Sequence, residues 1–186
     1  DCYEKLELSI KDIRPRAALE AISSAKNQMI TEDQYVKFAR GYIQERVAKI
    51  YPLYQNLLAE RNALDFDDLL NKTIDLLRKS PETLEFYQNL FQYVLVDEYQ
   101  DTNVSQYRLT KYLAGKHNNI CIVGDFSQSI YSFRGADYKN LEKFRTDFPD
   151  SKVYKLSQNY RSTQTILDAA HAIISNNNSH PVLKLW

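Results

Sequence analysis

The chain has 186 residues, enough for one large domain or two small ones. Its 24 basic and 24 acidic residues cancel, which excludes a global basic field, so any nucleic-acid site must be a local groove. Two cysteines give no disulfide framework and point to a reducing, cytoplasmic setting; no signal peptide or membrane span is legible, and His117, His171 and His180 lack metal-ligand spacing.

The first part, residues 1–91, reads as a helical subdomain. Pro15 can open a helix at its first turn. Thr31 and Gln34 have capping-box spacing. From Tyr35 through Phe38, Tyr42, Ile43, Val47, Ile50 and Tyr54 to Leu57 the apolar residues keep a helical period. Pro52 interrupts it, and an interior proline costs about 3 kcal/mol, so a kink or break is expected just before it. Asp65 is placed to cap the next helix, and Ser80-Pro81 the one after. The many tyrosines read as helix-contact packing.

Residues 92–186 alternate strand and helix. Val94–Val96, Ile120–Val123 and Val153–Leu156 are the expected strands. Helices are expected over Ser105–Leu113, Leu141–Phe148 and Ser162 to about Ser175. Such alternation predicts a parallel sheet with helical crossovers. Continuous apolar runs predict strands buried on both faces, with Cys121 as a small core residue.

Each expected strand delivers polar residues to one edge, where ligands of such sheets bind. The first ends in Asp97-Glu98-Tyr99-Gln100-Asp101, the second in Gly124-Asp125 followed by 126–137, and the third in Gln158-Asn159-Tyr160-Arg161-Ser162-Thr163. An Asp at a strand end can hold Mg²⁺, and a neighbouring carboxylate can activate water. The plain alternative is a pair of solvated acids.

These strings resemble the UvrD/PcrA/Rep family of superfamily-1 DNA helicases, which shows DEYQDTN, GDxxQSIYxxRGAD and QNYRST segments in this order. The Leu64–Leu69 stretch, LDFDDL, is similar to the family's segment ahead of the first box. IYSFRGA also resembles the related RecB/AddA proteins, but Tyr160 stands where those carry Trp. The resemblance implies an α/β fold: a partial RecA-like parallel sheet with flanking helices, after an all-helical subdomain. It implies ATP and Mg²⁺ as nucleotide and metal. It implies Asp97 as the Mg²⁺-holding acid, Glu98 as the base, Gln128 at the γ-phosphate or attacking water, Arg161 on the γ-phosphate and Tyr160 stacked on adenine. Plain alternatives are a strand-end amide for Gln128 and a paired helix-start arginine for Arg161.

By the same resemblance Tyr131 and Phe133 would stack on bases of single-stranded DNA, worth about 1–3 kcal/mol per base. Their alternative is core packing. Arg134 binds phosphate or braces the loop. Ser127 and Phe133 depart from the Asp and Trp of many members. Single-stranded and duplex DNA are the implied partners, with the remaining helicase domains of a parent chain and no membrane.

No G-x-x-x-x-G-K-[ST] phosphate loop occurs, and the chain has four glycines. With the opening at Asp1, this leads us to expect a piece of a longer protein that alone neither hydrolyses ATP nor unwinds DNA; the resemblance implies that the parent is a helicase translocating 3′ to 5′. The family strand expected between the second and third strands is also missing, leaving edges that a second copy or a swapped segment could pair with. The alternative function is a non-catalytic single-strand-binding or interaction module. A purely structural helical scaffold is opposed by three motifs in order.

Overall fold

The computed structural model describes residues 1–132, 135–178 and 180–186. Among these the chain is mostly helical, with one small sheet. The helices are α1 (Cys2–Lys5), α2 (Pro15–Asn27), α3 (Glu32–Phe38), α4 (Tyr42–Glu60), α5 (Phe66–Lys79), α6 (Pro81–Leu90), α7 (Val104–Ala114), α8 (Lys139–Asp147) and α9 (Gln164–Ile174). The strands are β1 (Val94–Val96) and β2 (Ile120–Ile122). Two compact units form: Asp1–Val94 with Asn103–Ile120, and Leu95–Thr102 with Cys121–Trp186.

In the first unit the helix starts are chemically specified. Pro15 occupies the first turn of α2. Thr31 and Gln34 close a full capping box on α3, and Asp65 and Asp68 do the same on α5. Ser80 caps α6 ahead of Pro81. Each such cap satisfies backbone N–H groups that the helix leaves free, contributing about 1 kcal/mol. Ile13, Ala18, Ile22 and Ala25 pack with Val47, Ile50 and Tyr51 into one core cluster. Burial pushes the Tyr51 hydroxyl pKa up, and the hydroxyl donates to the Ile30 carbonyl at 3.1 Å.

The break expected at Pro52 does not occur. The helical run is interrupted instead before Gly41, whose φ of 98° suits glycine, and α4 continues through Pro52. Val47, Ile50, Tyr51 and Leu57 are all buried along α4. Burying several large side chains, at about 1.5–3 kcal/mol each, outweighs the roughly 3 kcal/mol of an interior proline.

Lys26 is the polar centre of this unit. It is 2% exposed, and its Nζ lies 2.6 Å from Asp65 Oδ2 and 2.9 Å from Asp68 Oδ1. Its carbonyl accepts from Asn71 Nδ2 at 2.9 Å and Ser105 Oγ at 3.3 Å, so α2, α5 and α7 meet at one residue. Tyr54 donates to Asp65 at 3.0 Å. Burial alone pushes the Asp65 pKa up, but the bonds from Lys26, the Asp68 N–H and Tyr54 hold it below the usual carboxylate range.

In the second unit α8 packs on the turn that follows β1. Phe144 of α8 meets the Tyr99 ring edge-on at 6.1 Å. Asn140, fully buried, donates to the Thr102 carbonyl at 2.9 Å, and the Asp137 N–H reaches the same carbonyl at 3.0 Å. Leu167 is the buried residue of α9.

The strands pair in parallel. Val94 N–H donates to the Asn119 carbonyl at 2.9 Å and Val123 N–H to the Val96 carbonyl at 2.8 Å, so both chains advance together. Two expectations need correction. The sheet is not buried on both faces: Leu95 is 76% exposed, and Cys121, expected in a core, is exposed. Nor do residues 153–156 form the third strand. Val153, Tyr154 and Leu156 stand in solvent. A strand exists only through its ladder. Near here the bonds to another segment among the described residues are Asn159 N–H to the Trp186 carbonyl and Trp186 N–H to the Ser157 carbonyl. An apolar run without a neighbouring strand does not make a sheet. No helix among the described residues is long and apolar enough to cross a membrane.

Two predictions follow from Lys26. Lys26→Met takes the cation away from the buried Asp68 and the partly buried Asp65, so urea denaturation should show a loss of about 3–5 kcal/mol. Because the Asp65 pKa is depressed on folding, its contribution is complete above the ordinary carboxylate pKa of about 4 and is lost as pH falls below it. Asp67, whose pKa burial raises, acts in the opposite sense and softens that loss. Thermal melting across pH 2–6 should therefore show an acid-side fall that Asp65→Asn reduces, a range set by the unfolded carboxylate value of about 4.

Candidate functional site

The site lies where β1 and β2 end. Val123 N–H bonds to the Val96 carbonyl, and one step further Tyr99 N–H bonds to the Val123 carbonyl at 2.9 Å. This keeps the two exits side by side after the regular ladder stops. Asp97 and Glu98 therefore emerge next to Gly124 and Asp125.

Glu98 takes a left-handed conformation, φ 49° and ψ 42°. For a residue with a Cβ this costs about 1–2 kcal/mol. The reversal turns the chain into a short 3₁₀ turn, Tyr99–Asp101. Tyr99 goes inward, with its phenol pKa pushed up to about 12 by burial and then by Asp147. Asp97 and Glu98 stay exposed. Asp97 Oδ1 accepts the Glu98 N–H at 2.9 Å, and among the described residues nothing bonds its second oxygen.

Gln100 is 1% exposed and joins the two exits. Its Oε1 accepts the Asp125 N–H at 3.0 Å. Its Nε2 donates to Glu98 Oε2 at 2.7 Å and, more weakly, to Asp101 Oδ2 at 3.4 Å. The amide orientation is fixed by its partners, since a backbone N–H can only donate and carboxylates can only accept. Asp125 continues the chain of bonds. Its Oδ1 accepts the Ser127 N–H at 2.9 Å and its Oδ2 accepts Gln128 Nε2 at 3.0 Å. A Cβ on Gly124 would lie 2.9 Å from Gln100 Oε1 and 3.3 Å from Leu141 Cδ2, so this position has no room for a side chain.

Three of the four residues expected at a common rim, Asp97, Glu98 and Gln128, thus belong to one connected cluster. Arg161 does not join it through any hydrogen bond or ion pair among the described residues. Tyr160 is 87% exposed and donates to Gln158 Oε1 at 2.9 Å. Asn159 Oδ1 accepts the N–H groups of Arg161 and Ser162 at 2.9 and 2.8 Å, shaping a local turn. With no third strand among the described residues, none of them carries this turn to the sheet edge. Tyr131 is partly exposed, while Phe133 and Arg134 lie outside the described residues.

No group of three or more His, Cys, Asp or Glu side chains is arranged to hold a metal among the described residues. Asp97 nevertheless suits Mg²⁺, which commonly takes one or two carboxylates with the rest of its shell from water and phosphate. Gln100 and Asp125 carry no role in the sequence reading. Their signal was a polar residue inside each motif that the strand-end chemistry left unused.

A family model described as the UvrD/REP helicase N-terminal domain matches residues 1–149. The chain belongs to this family. UvrD/REP-type relatives include the ATP-dependent DNA helicase PcrA of Staphylococcus epidermidis and that of Staphylococcus aureus, each 47% identical over all 186 residues. The match covers 26% of either relative, so the chain spans about a quarter of their length. The family match takes in the Asp97 and Gln128 segments, and the full-length matches also take in the turn at Tyr160 and Arg161.

Gly124→Ala tests the close approach. We expect a loss of about 1–3 kcal/mol in urea denaturation, the usual effect of overpacking. A variant as stable as the parent would show that Gln100 can move aside freely.

Proposed function

We propose that the chain is part of the first, RecA-like motor domain of an ATP-dependent DNA helicase, together with its helical insertion. It would couple ATP hydrolysis to 3′-to-5′ movement on single-stranded DNA and to unwinding of the duplex. The observation that carries this reading is the hydrogen-bonded cluster at the ends of two parallel strands, in a chain that belongs to the UvrD/REP family. The named activity of the PcrA relatives supports it.

Asp97, with an oxygen open to solvent, is the residue that would hold Mg²⁺. When bound, that ion neutralises charge on the phosphoryl oxygens. Glu98 is the base that takes a proton from the attacking water; its Oε1 has no bond among the described residues, while Oε2 is held by Gln100. Gln128 meets the γ-phosphate or that water through its amide, which Asp125 orients. Arg161 would neutralise charge spread over the equatorial oxygens, and Tyr160 would stack on adenine. Both need the turn at 158–163 brought to the sheet edge, which a strand pairing with residues 153–156 would do. Tyr131 and Phe133 would stack on bases, and Arg134 would bind phosphate or brace the loop. The chain taken alone, without a phosphate loop, is expected to turn over no ATP and unwind no DNA.

The test is Glu98→Gln in the complete protein, measured as ATP turnover with single-stranded DNA. Loss of a general base should lower kcat by about 10²–10⁴-fold. Binding of a fluorescent nucleotide should persist. Undiminished turnover would remove Glu98 from the reaction.

A further inference from the structure

We propose that Gln100 is a positioning residue for hydrolysis, aiming Glu98 and fixing the turn that presents Gln128. The inference rests on the reading of Glu98 as the base.

Glu98 is exposed, and an exposed glutamate samples many rotamers. Here one of its oxygens is bonded to the amide of a buried side chain. Gln100 is 1% exposed, and both ends of its amide are bonded. There is little free space at its carbonyl end, where a Cβ added to Gly124 would come within 2.9 Å. The Ser129 Oγ reaches its backbone carbonyl at 3.5 Å. The amide therefore fixes Oε2 of Glu98 and leaves Oε1 to face the reacting water. Through the Asp125 N–H it also fixes the residue whose carboxylate holds Gln128 at 3.0 Å. One side chain sets the relative placement of the base and of the amide that senses phosphate.

The chemistry allows few substitutes. The position needs a donor toward Glu98 and an acceptor toward the Asp125 N–H, both at the reach of three side-chain carbons. Glutamate keeps the acceptor and places a second negative charge against Glu98. Lysine keeps a donor and loses the acceptor. Asparagine is one methylene short.

The experiment uses the complete protein, with Gln100→Glu and Gln100→Ala made in both the parent and the Glu98→Gln background. Turnover is expressed per nucleotide site titrated with a non-hydrolysable ATP analogue, so unfolded molecules do not count. A misaimed base should lower kcat about ten- to hundredfold. KM for ATP should stay within about threefold, the sign of an interaction felt in the transition state rather than in binding. In the Glu98→Gln background both changes should lower kcat clearly less than in the parent, because only the arm through Asp125 and Gln128 is left to misplace. A buried spacer of purely structural value would instead show losses that multiply, and that result overturns the proposal. So does kcat within about twofold of the parent for both variants, a change too small for lost positioning. Full turnover in Glu98→Gln alone overturns the base assignment, and is distinguished from a failure at Gln100 because it appears before any Gln100 change is made.

Discussion

The candidate site depends on one pairing carried past its regular end. Two short strands would diverge after Val96 and Ile122 if nothing held their exits. The bonds among Val96, Val123 and Tyr99 extend the register by one step, and the Gln100 amide then spans the gap to Asp125. A buried amide with every partner in place adds specificity as well as stability, because any displacement leaves a donor or acceptor unsatisfied at about 1–3 kcal/mol each. Glu98 takes its side-chain geometry from this neutral group beneath it, while Asp97 is held by the Glu98 N–H.

The helical unit is organised differently, around a charge rather than an amide. Lys26 is enclosed by α2, α4 and α5, with Tyr54 5.2 Å away at the ring centroid and two carboxylates within 2.9 Å. Desolvating an ammonium and two carboxylates costs several kcal/mol per ion. The net stability of such a cluster is therefore small, while the penalty for removing one member is large. The same residues cap α5, so the charge cluster also sets where that helix begins. Serine, asparagine and lysine converge there: Ser105 donates to Asn71 Oδ1 at 2.6 Å as well as to the Lys26 carbonyl. This ties α7, which follows β1 in sequence, into the helical unit.

Local chemistry was legible in the sequence. Thr31, Asp65 and Ser80 cap helices because each has a hydroxyl or carboxylate three residues before an N–H it can reach, a relation contained in the spacing. β1 was read with its observed limits, and the motif order pointed to the family. What escaped depends on partners distant in sequence. Pro52 was judged by its local cost, but its neighbours Ile50 and Tyr51 lie in a core that overrides that cost. The 153–156 run has the composition of a strand and, among the described residues, no adjacent strand to bond. Cys121 looked internal because an apolar run does not say which of its faces is covered. Gln100 was overlooked because a glutamine in a polar string looks solvated until the backbone folds it under its neighbours.

The left-handed backbone at Glu98 sets two requirements against each other. A side chain with a Cβ is strained there, and glycine would relieve that strain. Glycine would also remove the carboxylate. On the reading of Glu98 as the base, replacements at this one residue should therefore sort along a trade-off, with folding gaining where turnover loses. The tension sits in a single dihedral pair rather than being spread through the domain.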